Sequence, residues 1–531
     1  MEQIFKISEG ANPNYLASIC IVGEIYPIEG ADKICRTTVN GYEIVVGNDV
    51  KQGDTVVYVP VETALCDEYL AANNLYEIGE WERNANHTDV GILMGKMAEL
   101  KSEGKYDEAE LVYKEAKSKV GYFNKRNRVR IITLKGCVSN GFIASTDSLI
   151  KFNPSLADIN FAELVDTRFN YVGDKEFCWK YIPPIKERNY NTPQKHYKNR
   201  QKHIKKFDKL IENQWHFHYD TEKLEGDNIG KYLHPNDVVT ITTKVHGTSF
   251  IMSRILVNKK LSTWEKIKKF FGIKVQLSEY SNIYSSRSVI KNRYINEGKQ
   301  NSFYDVDIWG CVNRDFSPYL SDGMTVYGEI AGYLEGTSTM IQKDHDYGCD
   351  VGQWKFMPYR ITETDVFGNV KEWEISEVDA WTRNLVKEHP ELGNKVLFLE
   401  ILYHGKLVDL YPYLDVNDEK WALNLLNEIK NDRKNFYMEE KEHLCHLYEK
   451  EALAAKDVLE KAKKENQSKK IISKLEKDYN KWESKRAPHE GIVIRKDNDP
   501  ISEAFKIKTI AHFFREAVQH DNDEVDIEET A

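Results

Sequence analysis

Cysteine is scarce and scattered in this chain of 531 residues: there are eight, and no two stand in a C-x-x-C spacing. That argues against a disulfide scaffold and a zinc ribbon. Cys445 sits between His443 and His446 but lacks the companion cluster a structural zinc needs. No apolar run reaches the roughly 18 residues of a membrane span, and no secretory signal is legible. A soluble, intracellular (cytoplasmic) protein with reduced thiols and no membrane partner is therefore expected. Positive charge is also short. Lys and Arg number 74 against 84 Asp and Glu, a net charge of −10, so any polyanion would have to be held through local basic patches. The length allows two or more domains, each with its own core.

Lys244, in Thr242-Thr-Lys-Val-His-Gly-Thr-Ser-Phe250, closes an apolar run three positions before Gly247. An ordinary lysine titrates near ~10.4 and is no nucleophile at neutral pH. Burial at a strand end, beside a metal ion or a second cation, lowers that value and frees the amine to attack phosphorus. Gly247 would let backbone amides approach a phosphate closely. K-x-x-G alone is commonplace, and it gains weight only in company with other motifs.

Downstream come Ser285-Ser-Arg-Ser288, Met324-Thr-Val-Tyr-Gly-Glu-Ile330, Lys355-Phe-Met-Pro-Tyr-Arg-Ile361, His489-Glu-Gly-Ile-Val-Ile-Arg495 and Ala504-Phe-Lys-Ile-Lys508. Three of these are short β-type runs with a polar residue at one end or on one face. Lys506 and Lys508, two apart, share a side of a strand. Together the residues form a coherent kit. Two carboxylates can hold a divalent metal, two lysines can neutralise an α-phosphate, and an aromatic can stack on a base.

This ordered set resembles the covalent nucleotidyltransferase superfamily of DNA ligases, RNA ligases and mRNA capping enzymes. Motif I reads Lys-Val-His-Gly-Thr-Ser and is similar to nick-sealing RNA ligases, where DNA ligases and capping enzymes carry K-x-D-G-x-R. Only Thr509 to Ala531 follow Lys508, which leaves no expected room for the C-terminal OB domain of those two classes. The resemblance implies an ATP-dependent RNA ligase that joins 3′-OH and 5′-phosphate RNA ends, as in a nicked duplex, in an RNA repair role. ATP would be the substrate and Mg²⁺ or Mn²⁺ the metal. It implies Lys244 as nucleophile, Glu329, Glu490 and His246 at the metal, and Lys506 and Lys508 on the α-phosphate. It further implies Phe356 stacked on adenine, Arg287 on the ribose or the RNA terminus, and Gly247 permitting close approach. His246 stands where the wider superfamily has Asp, so metal affinity is expected to rest mainly on the two glutamates. Thr243 stands where many relatives have Glu, so adenine recognition is expected to fall to a backbone carbonyl or another side chain. A DNA ligase or capping enzyme, or a non-catalytic RNA-binding protein on a ligase scaffold, are the competing readings. A monomer is expected.

The N-terminal part alternates short β-runs with Gly-containing turns, from Ser18-Ile-Cys-Ile-Val22 to Ser139-Asn-Gly-Phe-Ile-Ala144, which argues a small β-barrel. It resembles the N-terminal OB-fold of one RNA ligase branch, up to Phe217-His-Tyr-Asp-Thr221. The expected fold is therefore α+β: an OB-like barrel, then a nucleotidyltransferase domain of ATP-grasp-like antiparallel sheets with flanking helices and a long helical insertion. The expected divisions are an OB-like RNA-binding domain over 1–160, with a helical insert near 93–120, and a basic linker over 161–225. A nucleotidyltransferase domain over 226–515 follows, with a charged helical insert near 418–485, then an acidic tail over 516–531. Residues 186–209 hold nine Lys or Arg against two acids, with Tyr190, Tyr197 and Phe207 interleaved. Lys202, Lys205 and Lys206 are the expected RNA contacts there.

Overall fold

The computed structural model describes residues 4–183, 210–292, 306–438, 440–496 and 501–522. Lys202, Lys205 and Lys206 lie outside them, as does the acidic stretch from 523 to 531. Two five-stranded sheets, mixed with helices, carry the central part of the chain. The first runs in the order Glu222–Lys223, Glu503–Lys508, Gly491–Lys496, Val238–Thr243 and Ile401–Lys406. It is antiparallel except for the parallel pairing of its first two members. Alternation decides its faces. Val239, Ile241, Ile492, Ile494, Phe505 and Ile507 face one core with Leu425, Leu426 and Ile429 of the Trp421–Asn431 helix.

The second sheet is wholly antiparallel and runs Ser278–Ser285, Thr248–Asn258, Met324–Gly332, Trp354–Thr364 and Val370–Glu372. Its inner face buries Phe250, Met252, Val326, Ile330, Phe356 and Ile361 against Trp309, Val312 and Phe316 of the Ile308–Phe316 helix. Lys244 to Gly247 is the short crossing from the Val238–Thr243 strand of the first sheet to the Thr248–Asn258 strand of the second. The candidate nucleophile therefore stands where the two sheets meet.

The N-terminal strands form separate small sheets, with no closed barrel among the described residues. The order of the largest is Phe142–Ser145, Thr55–Val59, Ala17–Ile21 and Arg168–Phe169. Its core gathers Ile19, Val57, Tyr58, Leu65, Tyr69, Phe169 and Phe177, joined by Phe513 and Ala517 from the Ile510–Asp521 helix. Two segments thus differ from the expected divisions. Residues 161–183 carry short strands rather than bare linker, because Phe169, Val172, Phe177 and Cys178 are apolar and bury. Residues 516–521 complete a helix rather than open a tail, because Ala517 continues the apolar face begun by Phe513. The region near 93–120 holds the helices His87–Ser102 and Tyr106–Ser118, and that near 418–485 holds Trp421–Asn431, Glu449–Lys464 and Lys469–Glu483. Among the described residues no helix is long and apolar enough to cross a membrane.

Candidate active site

Lys244, Glu490 and Lys508 are each delivered by the end of a strand. Lys244 is tied down by its backbone N–H, which donates to the carbonyl of Gly491 at 2.8 Å. Its Nζ reaches Glu490 Oε1 at 2.9 Å, with the carboxylate almost wholly buried. Gly491, at φ +139°, is required there, since a Cβ would lie 2.0 Å from the Ile507 carbonyl oxygen. That close approach brings the Glu490 and Lys508 strand ends together, with Lys508 Nζ 3.8 Å from Glu490 Oε1.

The chain then turns at Thr509, whose hydroxyl donates to the His489 carbonyl and accepts from the His512 backbone N–H at 3.1 Å. This N-cap fixes the first turn of the Ile510–Asp521 helix. His512, Glu516 and His520, four apart, share one face of it. His512 Nε2 lies 3.8 Å from Glu490 Oε1, Glu516 Oε2 lies 3.4 Å from Lys508 Nζ, and His520 Nδ1 pairs with Glu62 of the N-terminal part. Arg128 seals the same junction, binding Glu62 at 2.7 Å and also Asp521.

His246 reaches Glu490 Oε2 at 3.6 Å, and its backbone N–H donates to the Tyr347 hydroxyl at 2.7 Å. Its ring packs edge-on against His345 and His512, with centroids at 4.8 and 5.1 Å. Burial alone would raise the Glu490 carboxyl, but Lys244, His246 and Lys508 outweigh it and hold it down at about 2. Burial, then the charges of Lys508 and His246, push the His512 imidazole well below its ordinary range. Burial first, with His246 and Arg515 adding, brings His345 down to about 3. These two imidazoles are neutral at physiological pH, the form that binds metals. Glu490 Oε2, His512 Nδ1 and His345 Nε2 are buried with no hydrogen-bond partner among the described residues. His246, Glu490 and His512 each offer a ligand atom within 4.8 Å of the others. A carboxylate with imidazole nitrogens fits a divalent cation, and suits Mn²⁺ or a later transition metal better than Mg²⁺.

Glu329, the third expected metal residue, does not join that group. It stands opposite Ser249 in the second sheet, beside Gly247. Gly247 also has a packing duty that its spacing did not reveal. A Cβ there would lie 2.5 Å from the Ile330 carbonyl oxygen and 3.2 Å from Glu329 Oε2, so the glycine admits a neighbouring strand. Arg287 pairs with Asp220, whose carboxyl is lowered, against the raising effect of burial, by Arg287 and, more weakly, by His218 and Lys506. Lys506 shares its strand with Lys508, opposite Val493.

Phe356 is a correction. It is fully buried, with Phe250 and Phe316 at centroid distances of 5.4 and 5.3 Å, and has no open face for a base. Alternation along the strand is the reason: Met357, its neighbour, pairs with Glu329, while Phe356 turns to the helix side. Tyr359 is only partly buried, and its hydroxyl lies 3.1 Å from His218 Nδ1, which also lies 3.4 Å from Ser249 Oγ.

No family model matches the chain, and no curated protein matches it. Solved structures to which it is similar include Naegleria gruberi RNA ligase with PPi, at 15% identity over 94% of this chain and 98% of that one, with a TM-score of 0.42. A mutant of that ligase with AMP and Mn aligns at 15% identity over the same shares of 94% and 98%, with a TM-score of 0.45. Another mutant, with ATP and Mn, aligns at 14% identity, again over 94% and 98%, with a TM-score of 0.43.

Sequence reasoning missed His512, His345 and Tyr359. His512 and Glu516 did leave a signal, a His and a Glu at i, i+4 directly after the two lysines. His345 left none, since it comes from the loop between the Met324–Gly332 and Trp354–Thr364 strands and meets the site only in space.

Proposed function

We propose that the chain is an ATP-dependent RNA ligase working through nucleotidyl transfer to Lys244. The observation that carries this reading is the pair of a partly buried Lys244 and a buried Glu490 at the meeting of two sheets, with Lys508, His246 and His512 around it. Lys244 Nζ attacks the α-phosphorus of ATP and the bond to pyrophosphate breaks, leaving AMP on the lysine. An RNA 5′-phosphate oxygen then displaces the lysine and takes the AMP. A 3′-hydroxyl finally attacks that anhydride and expels AMP, so the monoester end is activated before the joining step.

Lys244 must shed a proton before it attacks, and the ion pair with Glu490 favours the ammonium. Glu490, His246 and His512 would hold a divalent cation, which when bound supplies positive charge for the triphosphate. With its charge engaged there, Glu490 would hold the lysine proton less strongly. Lys508 and Lys506 would steady the α-phosphate, Glu329 would act from the facing sheet, and Arg287 would meet the ribose or the RNA end. Tyr359 is the partly exposed ring we assign to the base.

The N-terminal small sheets serve in this reading as an OB-like platform that grips RNA, with 226–515 as the transferase and Lys202, Lys205 and Lys206 as added phosphate contacts. Nicked duplex RNA with 3′-OH and 5′-phosphate ends is the proposed substrate of a monomeric enzyme. Incubation with α-labelled ATP and Mn²⁺, followed by denaturing electrophoresis, tests the first step. Wild type should become labelled and Lys244→Ala should not. Label gained from GTP alone would instead indicate capping chemistry.

A further inference from the structure

The Thr263–Phe270 helix, set between the Thr248–Asn258 and Ser278–Ser285 strands, buries none of its residues. It is nevertheless closed at both ends by its own sequence. Ser262 and Glu265 form a reciprocal capping box, at 3.3 and 2.8 Å. At the other end Gly272, at φ +75°, lets Ile273 N–H donate to the Lys268 carbonyl at 3.0 Å. A helix this short is marginal alone, and one without a core face usually shows a charged surface all round. Here Trp264, Phe270 and Phe271 are 72%, 85% and 72% exposed, and Ile267 and Ile273 are exposed with them.

The residues divide by angle. At ~100° per residue, Trp264, Ile267 and Phe271 fall on one face with Phe270 at its border. Lys266 and Lys268 flank that face on either side, and Lys269 lies opposite. From 259 to 277 there are six lysines and one acid, in a chain whose net charge is −10. The one acid, Glu265, is paired with Lys259 at 2.6 Å.

We propose that this helix docks on an anionic lipid surface, its aromatic face entering the headgroup boundary while the flanking lysines reach acidic headgroups. A water–lipid boundary is the environment that satisfies both faces at once, because lysine stems lie along apolar surface and carry their charge outward. A nucleic-acid strand following Lys269 would turn away from Trp264 and Phe271. The Thr248–Asn258 strand separates helix from site: eleven residues at about 3.3 Å each put the helix roughly 30 Å from Lys244. Docking there leaves the reactive lysine open, whatever reaction it performs. This surface helix departs from the expectation of no membrane partner, which rested on the lack of a spanning segment; surface docking needs none.

The full chain should be mixed with phosphatidylcholine vesicles, with or without about one third phosphatidylserine, and sedimented. The expected result is cosedimentation with the anionic vesicles, weakened by salt and slight with phosphatidylcholine alone. Trp264→Ala/Phe270→Ala/Phe271→Ala should lower the bound fraction at least tenfold, as should Lys266→Glu/Lys268→Glu/Lys269→Glu. All six positions are at the surface, so the thermal midpoint should not move. Wild type left in the supernatant overturns the proposal, as does equal binding by the aromatic variant. A variant that keeps lipid binding but loses affinity for a labelled single-stranded RNA, or shifts from dimer to monomer, would also overturn it in favour of RNA or a second copy.

Discussion

Lys244 Nζ and Glu490 Oε1 stand 2.9 Å apart between the ends of two strands of one sheet, the carboxylate buried and the lysine partly so. The pair looks inward to the chemistry and outward to the fold. Glu490 also lies within 4 Å of Lys508, His246 and His512, so with Lys244 its charge holds four side chains in place. Glu490→Gln leaves two ammonium groups without their shared counter-charge. Removing one partner of a buried pair costs about 3–5 kcal/mol. The unfolding midpoint in urea should fall accordingly, and AMP labelling should be lost. Unchanged stability would mean the ammonium groups find water instead.

The donor group His246–Glu490–His512 makes a separate prediction about metal. His512→Ala removes one neutral imidazole and should weaken Mn²⁺ binding at least tenfold by calorimetry, with a smaller loss for Mg²⁺. Lys244→Met should act in the opposite direction, because it withdraws the ammonium that competes for Glu490. Equal Mn²⁺ affinity in wild type and His512→Ala would remove this histidine from the metal's ligands. His345→Ala, whose Nε2 is unpartnered but outside the closest group, should show the lesser change.

Phe356 and Tyr359 separate core from site. Phe356→Ala opens a cavity among Phe250, Phe316 and Trp354, and such truncations cost about 3–5 kcal/mol. Tyr359→Ala should leave the thermal midpoint nearly unmoved and raise the KM for ATP. If Phe356→Leu, which refills most of the volume, raises that KM more than Tyr359→Ala does, the base stacks on the wrong side of this sheet for our reading.

These residues also show what a linear chain reveals. Lys244, Glu490 and Lys508 were legible because each ends a β-run whose alternation and glycines are written locally. Gly247 was legible as a constraint, but its strand contact was not, since the Ile330 carbonyl that excludes a side chain lies 83 positions on. Phe356 misled because a single register, set by pairing with the Met324–Gly332 strand, decides which of two adjacent residues faces a ligand. His512 and His345 come from a helix and a loop that converge only when both sheets are built. The N-terminal strands were visible one by one, but their sheet order depends on pairings such as Arg168↔Ser18, which no local pattern encodes.

Gly247→Ala tests that strand contact. The new methyl carbon would meet the Ile330 carbonyl oxygen at 2.5 Å, backbone that cannot swing aside as a side chain would. Forcing atoms into packed structure costs about 1–3 kcal/mol. Thermal unfolding should show that loss, and AMP labelling should fall with it, since Lys244 and His246 share the same crossing. A variant with full stability and no labelling would instead make the phosphate approach the main role of Gly247.

Glu442 supplies a pH dependence separable from the metal. Its carboxyl is buried, and that burial, opposed by the Leu444 N–H and aided by the charges of Glu400 and Glu490, raises it to about 7 from an ordinary 4.5. Between those values the folded chain holds a proton that the unfolded chain releases. The stability this group contributes is therefore full below pH 4.5 and is lost as pH rises through about 7. Glu442→Gln, neutral at every pH, should escape that loss. The gap in unfolding free energy between variant and wild type should widen from pH 5 to pH 8 in the variant's favour, by at most on the order of 3 kcal/mol. Denaturant titrations at four pH values measure it, and parallel curves for the two proteins would show that this carboxyl ionises in the folded state as freely as in the unfolded one.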